Sequence, residues 1–255
     1  MVYRISGLLA ALLLAGSASA QVSGLRSEQI AKIASDDLQA INSAALRALS
    51  TAQLEALGSD QIGALSTGQV AALTTSQIAG LVSDDLNALT SNQIRALTTS
   101  QIAALTTSQV STLQTADVAA LGTGQVVALN SAQISALSTD SIVALSSTQV
   151  AALNSVQVAG LSTTQMQSIE SGDLRALGTA ALRALSTAQL EALGSDQIYS
   201  AITIDGPNKV YVPEQVTGAT LPWPTVDDTS NIGEQVAEID ARRGRVAVHR
   251  RPGLD

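Results

Sequence analysis

An eight-residue unit repeats without interruption through most of this chain. Read from Gln21, the unit is Gln-(Ile/Val/Leu)-x-Ala-Leu-(Ser/Thr/Asn/Gly)-(Ser/Thr)-x, and it recurs without an insertion as far as Gln197. Asp, Ala or Ser replaces the glutamine in a few copies. A short fixed period predicts a fold in which each unit packs against copies of itself. The positions of this octad are numbered 1 to 8 below, starting from the glutamine.

Stretches of several octads have been copied within the chain. The block from Ala44 to Ile62 recurs letter for letter from Ala180 to Ile198, which lies 17 octads later. This identity indicates recent duplication in whole octads.

Each position of the octad has its own chemistry. Position 2 is aliphatic or, at Met166, methionine, and position 5 is Leu or Ile. Position 4 is Ala, Gly, Ser or Thr except at Lys32, which predicts the close approach of a neighbouring backbone. Position 7 is always Ser or Thr. Position 3 is expected to face water, because it carries most of the Arg and Glu residues of the array: Arg47, Glu55, Arg95, Arg175, Arg183 and Glu191.

The octad favours a short helix over a continuous one. Positions 2 and 5 stand three residues apart, and Ala, Leu and Gln are good helix formers. Eight residues make about 2.2 helical turns, so the apolar stripe of a continuous helix would drift by about 80° per octad. The helix must therefore break once per octad, which gives a helix of about six residues and a two-residue corner.

Two assignments of the helix start are open. In the first, the Ser/Thr of position 7 is the N-cap, and position 6 is a left-handed or turn residue that closes the preceding helix. In the second, position 6 is the cap, with Ser50 as the cap and Gln53 as its capping-box partner. Acidic residues often follow position 7, as expected near the positive end of a helix: Asp36, Asp60, Asp84, Asp140 and Asp196.

These features predict an all-α solenoid of short capped helices over residues 21–198. A helix this short is not stable alone, since isolated helices below about 12 residues are marginal. Stacking of octads supplies the missing burial. The alternative is a β-solenoid with two or three octads per coil, which would explain the Thr and Val content but not the spacing of positions 2 and 5. A disordered, low-complexity chain is the third alternative.

The first 20 residues have the pattern of a signal peptide. Arg4 precedes an apolar run from Gly7 to Gly16, and Ala18-Ser19-Ala20 forms a small-residue cleavage site before Gln21. No other segment approaches the roughly 20 apolar residues of a membrane-spanning helix. We therefore expect a mature protein that starts at Gln21, lacks a transmembrane segment and is secreted to the periplasm or the extracellular space, in association with the cell surface.

Residues 199–255 lack the octad and are expected to form a small C-terminal cap and tail. Residues 202–204 and 210–212 flank Asp-Gly-Pro-Asn, which predicts a β-hairpin. The two prolines of residues 221–224 predict an extended segment. Residues 232–241 are predicted to form a short helix. Five arginines follow: Arg242, Arg243, Arg245, Arg250 and Arg251. They either form a solvated tail or bind an acidic surface, or the tail docks to a partner or a component of the cell envelope.

The sequence offers little catalytic or metal-binding chemistry. The chain has no Cys, which excludes disulfides and thiolate ligands, and its only histidine, His249, lies in the tail. The net charge of −8 disfavours a nucleic-acid partner. The pairs Asp36-Asp37 and Asp84-Asp85 lack the surrounding oxygen-rich loop of a calcium site and are interpreted as helix-start acids. We therefore predict no catalytic, cofactor or metal residues and no enzymatic activity.

The octads resemble the Ser/Thr-Gln-Ile/Val-Ala-Leu repeats of large secreted or surface proteins of proteobacteria, some of which are labelled adhesin- or haemagglutinin-like. The resemblance covers Gln21 to Ile198. It implies a structural role at the cell surface or outside the cell, and it assigns no functional residues.

The leading functional hypothesis is an exported, non-enzymatic scaffold with a polar, acidic surface for adhesion or protein interaction. Specificity is expected at positions 3 and 8, where the octads vary most. The identity of the partner is open, and so is self-association. The alternative is a hydroxyl lattice that binds ice or carbohydrate, in which case replacing position-6 threonines such as Thr74, Thr98 and Thr106 should abolish binding but not folding.

Overall fold

The array is built from very short helices. The computed structural model describes residues 24–194 and Gln197, together with the backbone of four short strands between Thr203 and Arg250. Residues 24–194 contain 21 α-helices of four to six residues each. In chain order they are α1 Ser27–Ile30, α2 Ser35–Ala40, α3 Ser43–Arg47, α4 Thr51–Glu55, α5 Ser59–Gly63, α6 Thr67–Ala72, α7 Thr75–Gly80, α8 Ser83–Asn87, α9 Ser91–Ala96, α10 Thr99–Ala104, α11 Thr107–Ser111, α12 Thr115–Ala120, α13 Thr123–Ala128, α14 Ser131–Ala136, α15 Thr139–Val143, α16 Ser147–Ala152, α17 Ser155–Ala159, α18 Thr163–Ser168, α19 Ser171–Leu174, α20 Thr179–Arg183 and α21 Thr187–Ala192. This confirms the predicted all-α array; the β-solenoid and the disordered chain are not what these residues form.

Each helix starts one residue earlier in the octad than the first of the two predicted assignments requires. Ser50 is the N-cap of α4, and its Oγ accepts a hydrogen bond from the Gln53 amide at 3.2 Å. The position-7 Ser/Thr is therefore the first helical residue, N1, so the second assignment is confirmed and the first is wrong.

The corner between helices is extended and not left-handed. Leu97, at position 5, ends α9 with φ −58° and ψ 138°, and the next residue, Thr98, has φ −72° and ψ 159°. Gly58 at position 6 has an ordinary φ of −81°. The prediction of a left-handed closing residue at position 6 is therefore wrong, and position 6 tolerates glycine because its side chain is not needed for the turn.

Three octads make one coil of the solenoid. Each helix packs against the helices three before and three after it in the chain, so α9 lies between α6 and α12 and α10 lies between α7 and α13. The helices thus form three stacks. The first stack contains α1, α4, α7, α10, α13, α16 and α19; the second begins with α2 and the third with α3, with the same spacing. Consecutive coils are therefore offset by three octads.

The core lies between the three stacks. It consists of the position-2 and position-5 side chains, which are buried from Ile30 to Leu193, apart from the partly buried Leu190. Position 2 is the more deeply buried; Ile78 on the first stack, Leu86 on the second and Ile94 on the third are at most 1% exposed. The spacing that predicted a helix is thus the spacing that fills the core.

Position 4 is small because it faces the preceding coil. At Gly160, an added Cβ would lie 2.8 Å from the Cβ of Ser131, the N1 residue of the helix below. At Gly80, it would lie 3.2 Å from Cγ2 of Thr51, which has the same relation to its helix. The predicted close approach is confirmed, and it also limits the size of the N1 side chain.

The tail contains two antiparallel strand pairs. β1 (Thr203–Ile204) pairs with β2 (Val210–Tyr211), as the predicted hairpin requires. β3 (Gln235–Asp240) pairs with β4 (Arg245–Arg250), so the prediction of a helix over residues 232–241 is wrong. Pairing with β4, which begins only five residues after the end of β3, explains the difference, because a strand partner overrides weak local helix preference.

Some predictions lie outside the described residues. These are the signal peptide of residues 1–20, the extended segment of residues 221–224, and the arginines of the tail other than the two at the ends of β4. Within the described residues, the longest helices have six residues, and none is long and apolar enough to cross a membrane.

Candidate interaction surface and glutamine ladder

The position-1 glutamine joins consecutive coils. In α7, the Gln77 Oε1 accepts a hydrogen bond from the Thr74 amide at 2.8 Å, while the Thr74 hydroxyl accepts one from the Gln77 amide. The Nε2 of Gln77 donates to the carbonyls of Leu46 and Leu49, at 2.9 and 2.8 Å. These carbonyls lie at the end of α3 and in the corner that follows it, where a helix leaves carbonyls without helical partners. The Leu46 carbonyl also accepts from the Leu49 amide, at 3.2 Å. One buried amide thus caps its own helix and satisfies a corner of the preceding coil.

The same bonds recur along the whole array. Every position-1 glutamine from Gln53 to Gln197 donates from Nε2 to the carbonyl 28 residues earlier. Most also reach the carbonyl 31 residues earlier. We call this set of contacts the glutamine ladder. The glutamine ladder therefore links the stacked coils by hydrogen bonds from side chains that lie beside the aliphatic core.

Aspartate at position 1 makes a different contact. A carboxylate cannot donate to a carbonyl, and it accepts instead from the N1 serine of the helix below. Ser59 donates to Asp85 at 2.8 Å, and Ser91 donates to Asp117 at 2.9 Å. Ser147 and Asp173 form the same bond. The N-caps of these three helices have no side-chain cap bond; the cap residues are Val82, Gln114 and Glu170.

Asp117 is the buried carboxylate with a shifted pKa. Its side chain is 4% exposed, and burial raises the pKa of its carboxyl above the ordinary value. The hydrogen bond from Ser91 opposes this effect by stabilising the charged form. Asp117 thus weakens the ladder in two ways. It cannot donate to the carbonyls of the preceding coil, and its charged form is buried.

Positions 3 and 8 form the outer surface. The position-8 side chain is exposed in every described copy, and position 3 is exposed or half-buried. Two of the three stacks differ in charge. The second stack carries an acidic column at the second residue of α2, α5 and α8, made of Asp36, Asp60 and Asp84. On the first stack, α7, α10, α13 and α16 contain no charged residue.

The acidic pair and the histidine that were considered as candidate site residues lie in different elements of the structure, α8 and β4. Asp84 is exposed, whereas its neighbour Asp85 is buried against Ser59, so the pair does not converge on one site. Within the part of the chain that the structure describes, no group of three His, Cys, Asp or Glu side chains lies close enough to hold a metal ion. His249 pairs with Val236 through the backbone of β4 and β3.

The position-6 threonines are structural. Thr74, Thr98 and Thr106 are the N-caps of α7, α10 and α11, and each hydroxyl accepts from the amide of the following glutamine. Replacing them would therefore weaken the helices as well as any lattice. The proposed test of the hydroxyl lattice at these positions does not separate binding from folding.

The stacked helices, the continuous core and the glutamine ladder define a helical-repeat solenoid protein. A family comparison agrees with this class. The model of the ALTTAQ repeat matches residues 30–67, 81–115, 110–147 and 166–200, which together make up more than half of the chain. The chain therefore belongs to the ALTTAQ repeat family. A comparison with curated proteins gave no match.

Proposed function

We propose that the chain is an exported, non-enzymatic scaffold whose positions 3 and 8 bind a protein or cell-surface partner. The observation that carries this proposal is the separation of roles within the octad. Positions 1, 2, 4 and 5 make the core and the inter-coil contacts, while position 8 is exposed in every described copy and position 3 in most. Position-8 residues can therefore change without disturbing the fold. Some position-3 side chains also bond to the next coil: Gln39, Asn87 and Arg95 donate to the carbonyls of Ala64, Thr112 and Ala120.

The dimensions suit a spacer or an extended binding surface. The 21 described helices make seven coils, and stacked helices lie about 8–10 Å apart, which gives a length of about 60–70 Å. A surface of this length offers many weak contacts in parallel, which is how repeat proteins bind extended partners. The adhesin- or haemagglutinin-like role implied by the octad resemblance is part of this proposal.

Export rests on residues 1–20 and is tested apart from binding. We expect residues 1–20 to direct alkaline phosphatase lacking its own leader out of the bacterial cytoplasm, because the apolar run follows a basic start and precedes a small-residue site. The matched control is Leu13→Asp, which places a charge in the apolar run. A wild-type fusion that stays in the cytoplasm would exclude export.

Binding is tested with the fluorescently labelled chain on intact cells. One variant changes the acidic column to asparagine at Asp36, Asp60 and Asp84. The other adds lysine to the uncharged helices α10 and α16 of the first stack, at Ala103 and Ala151, which are exposed position-3 residues. We expect saturable attachment that at least one variant lowers without changing the circular dichroism. Attachment that never saturates, or that neither variant changes, would contradict the proposal.

The alternative function is a hydroxyl lattice for ice or carbohydrate. It is favoured by the recurrence of Thr-Thr-Ser one coil apart on the first stack, at residues 74–76 and 98–100. A test that spares the caps uses Ser76→Ala and Ser100→Ala, because both serines are exposed second residues of their helices. If the lattice binds, these changes should lower ice-recrystallisation inhibition or glycan binding at unchanged thermal stability.

A further inference from the structure

The duplicated block provides a comparison between stacks. The two copies are 17 octads apart, and 17 is not a multiple of the three octads in a coil. The same sequence therefore lies on different stacks: Thr51–Glu55 is α4 of the first stack, whereas its copy starts at Thr187 as α21 of the third.

The two copies have the same local structure. The Ser50 Oγ accepts from the Gln53 amide at 3.2 Å, and the Ser186 Oγ accepts from the Gln189 amide at 3.2 Å. Gln53 donates to the Leu25 carbonyl and Gln189 to the Leu161 carbonyl, in each case 28 residues earlier. An octad thus makes the same caps and ladder bonds wherever it lies in the coil.

Octads with different sequences also use one contact rule on all three stacks. Gln77 on the first stack, Gln157 on the second and Gln165 on the third each donate to carbonyls 28 and 31 residues earlier. Position 2 is buried on all three stacks. Neither the ladder nor the core identifies a particular stack.

We infer that the interchangeable unit of this protein is the single octad and not the coil of three octads, so that the array can gain or lose one octad at a time. Removal of one octad moves every later helix to the neighbouring stack. The segment after the array is thereby turned by about a third of a revolution, while every ladder bond re-forms at its usual sequence separation in the shortened chain. The octad number then sets both the length of the scaffold and the direction in which its far end faces. This inference holds whether or not the chain is exported or binds a partner.

Cross-linking of engineered cysteine pairs can show which helices are stacked on each other. Ser59 and Asp85 are in contact between neighbouring coils, at 2.8 Å between Oγ and Oδ1, and the chain has no native cysteine. In the full chain, oxidation should join the two introduced thiols of the S59C/D85C variant. The S59C/Q93C variant should not cross-link, because Gln93 lies in α9 on another stack.

Deletion of one octad, Gln61–Gly68, should reverse the behaviour of the two cysteine pairs. The helix three places after Ser59 then becomes α9, whose third residue is Gln93. We expect the deleted chain to cross-link as S59C/Q93C to the level of the full-length S59C/D85C pair, and S59C/D85C to lose its cross-link. The matched control deletes Gln61–Asp84, a whole coil, and should cross-link as S59C/Q109C.

The two hypotheses also differ in stability. If octads are interchangeable, the one-octad deletion keeps the helical circular dichroism per residue and melts no lower than the whole-coil deletion. If the coil is the unit, the one-octad deletion breaks the stacking of all later helices and melts well below the whole-coil deletion. A one-octad variant that fails to fold, or that keeps the original cross-link, would overturn the inference, as would failure of both deletions.

Discussion

Two neighbouring coils of the array share one core but differ in their polar contacts. In the coil α16–α18, position 1 is Gln in all three octads, and each Gln donates to carbonyls of earlier coils. In the coil α19–α21, position 1 is Asp173, Ala181 and Gln189, so one amide donor remains of three. Positions 2 and 5 are nevertheless buried or nearly so in both coils.

The N-caps of these two coils differ in the same way as their ladder bonds, with fewer side-chain cap bonds in the second coil. Ser146, Asn154 and Ser162 all cap the helices of the first of these coils, whereas Glu170 and Gly178 leave two helices of the next coil without a side-chain cap bond. The comparison separates two contributions. The aliphatic pattern is complete in both coils, and we expect the polar side chains at positions 1 and 6 to determine how stable each coil is.

The largest effect is expected in the coil α16–α18, in which all three octads carry a ladder glutamine. Gln157→Glu replaces a side chain that is 1% exposed by a carboxylate that cannot donate to the Val126 and Leu129 carbonyls. An unpaired buried charge costs about 3–5 kcal/mol, and we expect a loss of this size in chemical unfolding. The control is Gln167→Glu, the same change at an exposed position 3. Equal losses for both variants would mean that the ladder contributes nothing.

A repair of the weaker coil should have a smaller effect of opposite sign. Ala181→Gln restores the amide that α20 lacks, at the ladder separation from the Leu153 and Val150 carbonyls. One net hydrogen bond is worth about 1 kcal/mol, so we expect a gain of about 1–2 kcal/mol, together with slower amide exchange in α20. The control, Ala180→Gln, adds the same side chain at an exposed position 8. If Ala181→Gln is neutral or destabilising, the ladder does not explain the difference between the coils.

Loss of one cap should cost less than loss of a buried amide. Ser162 caps α18 by accepting from the Gln165 amide at 3.1 Å, so Ser162→Ala should cost about 1 kcal/mol in thermal or chemical unfolding. Thr164→Ala, two residues later at an exposed position, is the matched control. A cost at Thr164 as large as that at Ser162 would contradict the assignment of position 6 as the cap.

The smallest effect concerns pH and the Asp-type contact of the third stack. Because the pKa of Asp117 is raised by burial, the folded chain holds this proton more tightly than the unfolded chain. The contribution of Asp117 to stability is therefore most favourable below the unfolded pKa and is lost as pH rises through the folded pKa. Asp117→Asn should remove this loss. The difference in unfolding free energy between Asp117→Asn and wild type should grow as pH rises across that interval, and a difference that shrinks would have the wrong sign.

The sequence was informative about the core and less so about the corner. The spacing of positions 2 and 5 predicted both the short helix and the buried columns. It did not decide which hydroxyl is the cap, because positions 6 and 7 both favour Ser and Thr. The asparagine and glycine of position 6, which are good caps, were the signal for the confirmed assignment. The number of octads per coil was not predicted, because the core positions and the ladder follow the same rule on all three stacks.

The second role of glutamine also had a signal in the sequence. A capping box accepts Glu as readily as Gln, yet position 1 is never Glu in any copy. Its absence indicates that the amide donor of glutamine is favoured over a carboxylate of the same length, which the ladder explains. In the tail, the helix predicted over residues 232–241 is wrong, because the helix preference of this segment alone does not show its pairing with residues 245–250.

The ladder has a direction. Each amide reaches carbonyls 28 and 31 residues earlier in the chain, so a coil is bound by residues made after it and never has to wait for a distant C-terminal segment. A chain that emerges N-terminus first, from a ribosome or from an export channel, can therefore form the ladder bonds of each coil once the next three octads have followed. A separation of 28–31 residues that stays the same along the array keeps the contact order low, which favours fast folding and leaves little apolar surface exposed while the rest of the chain follows.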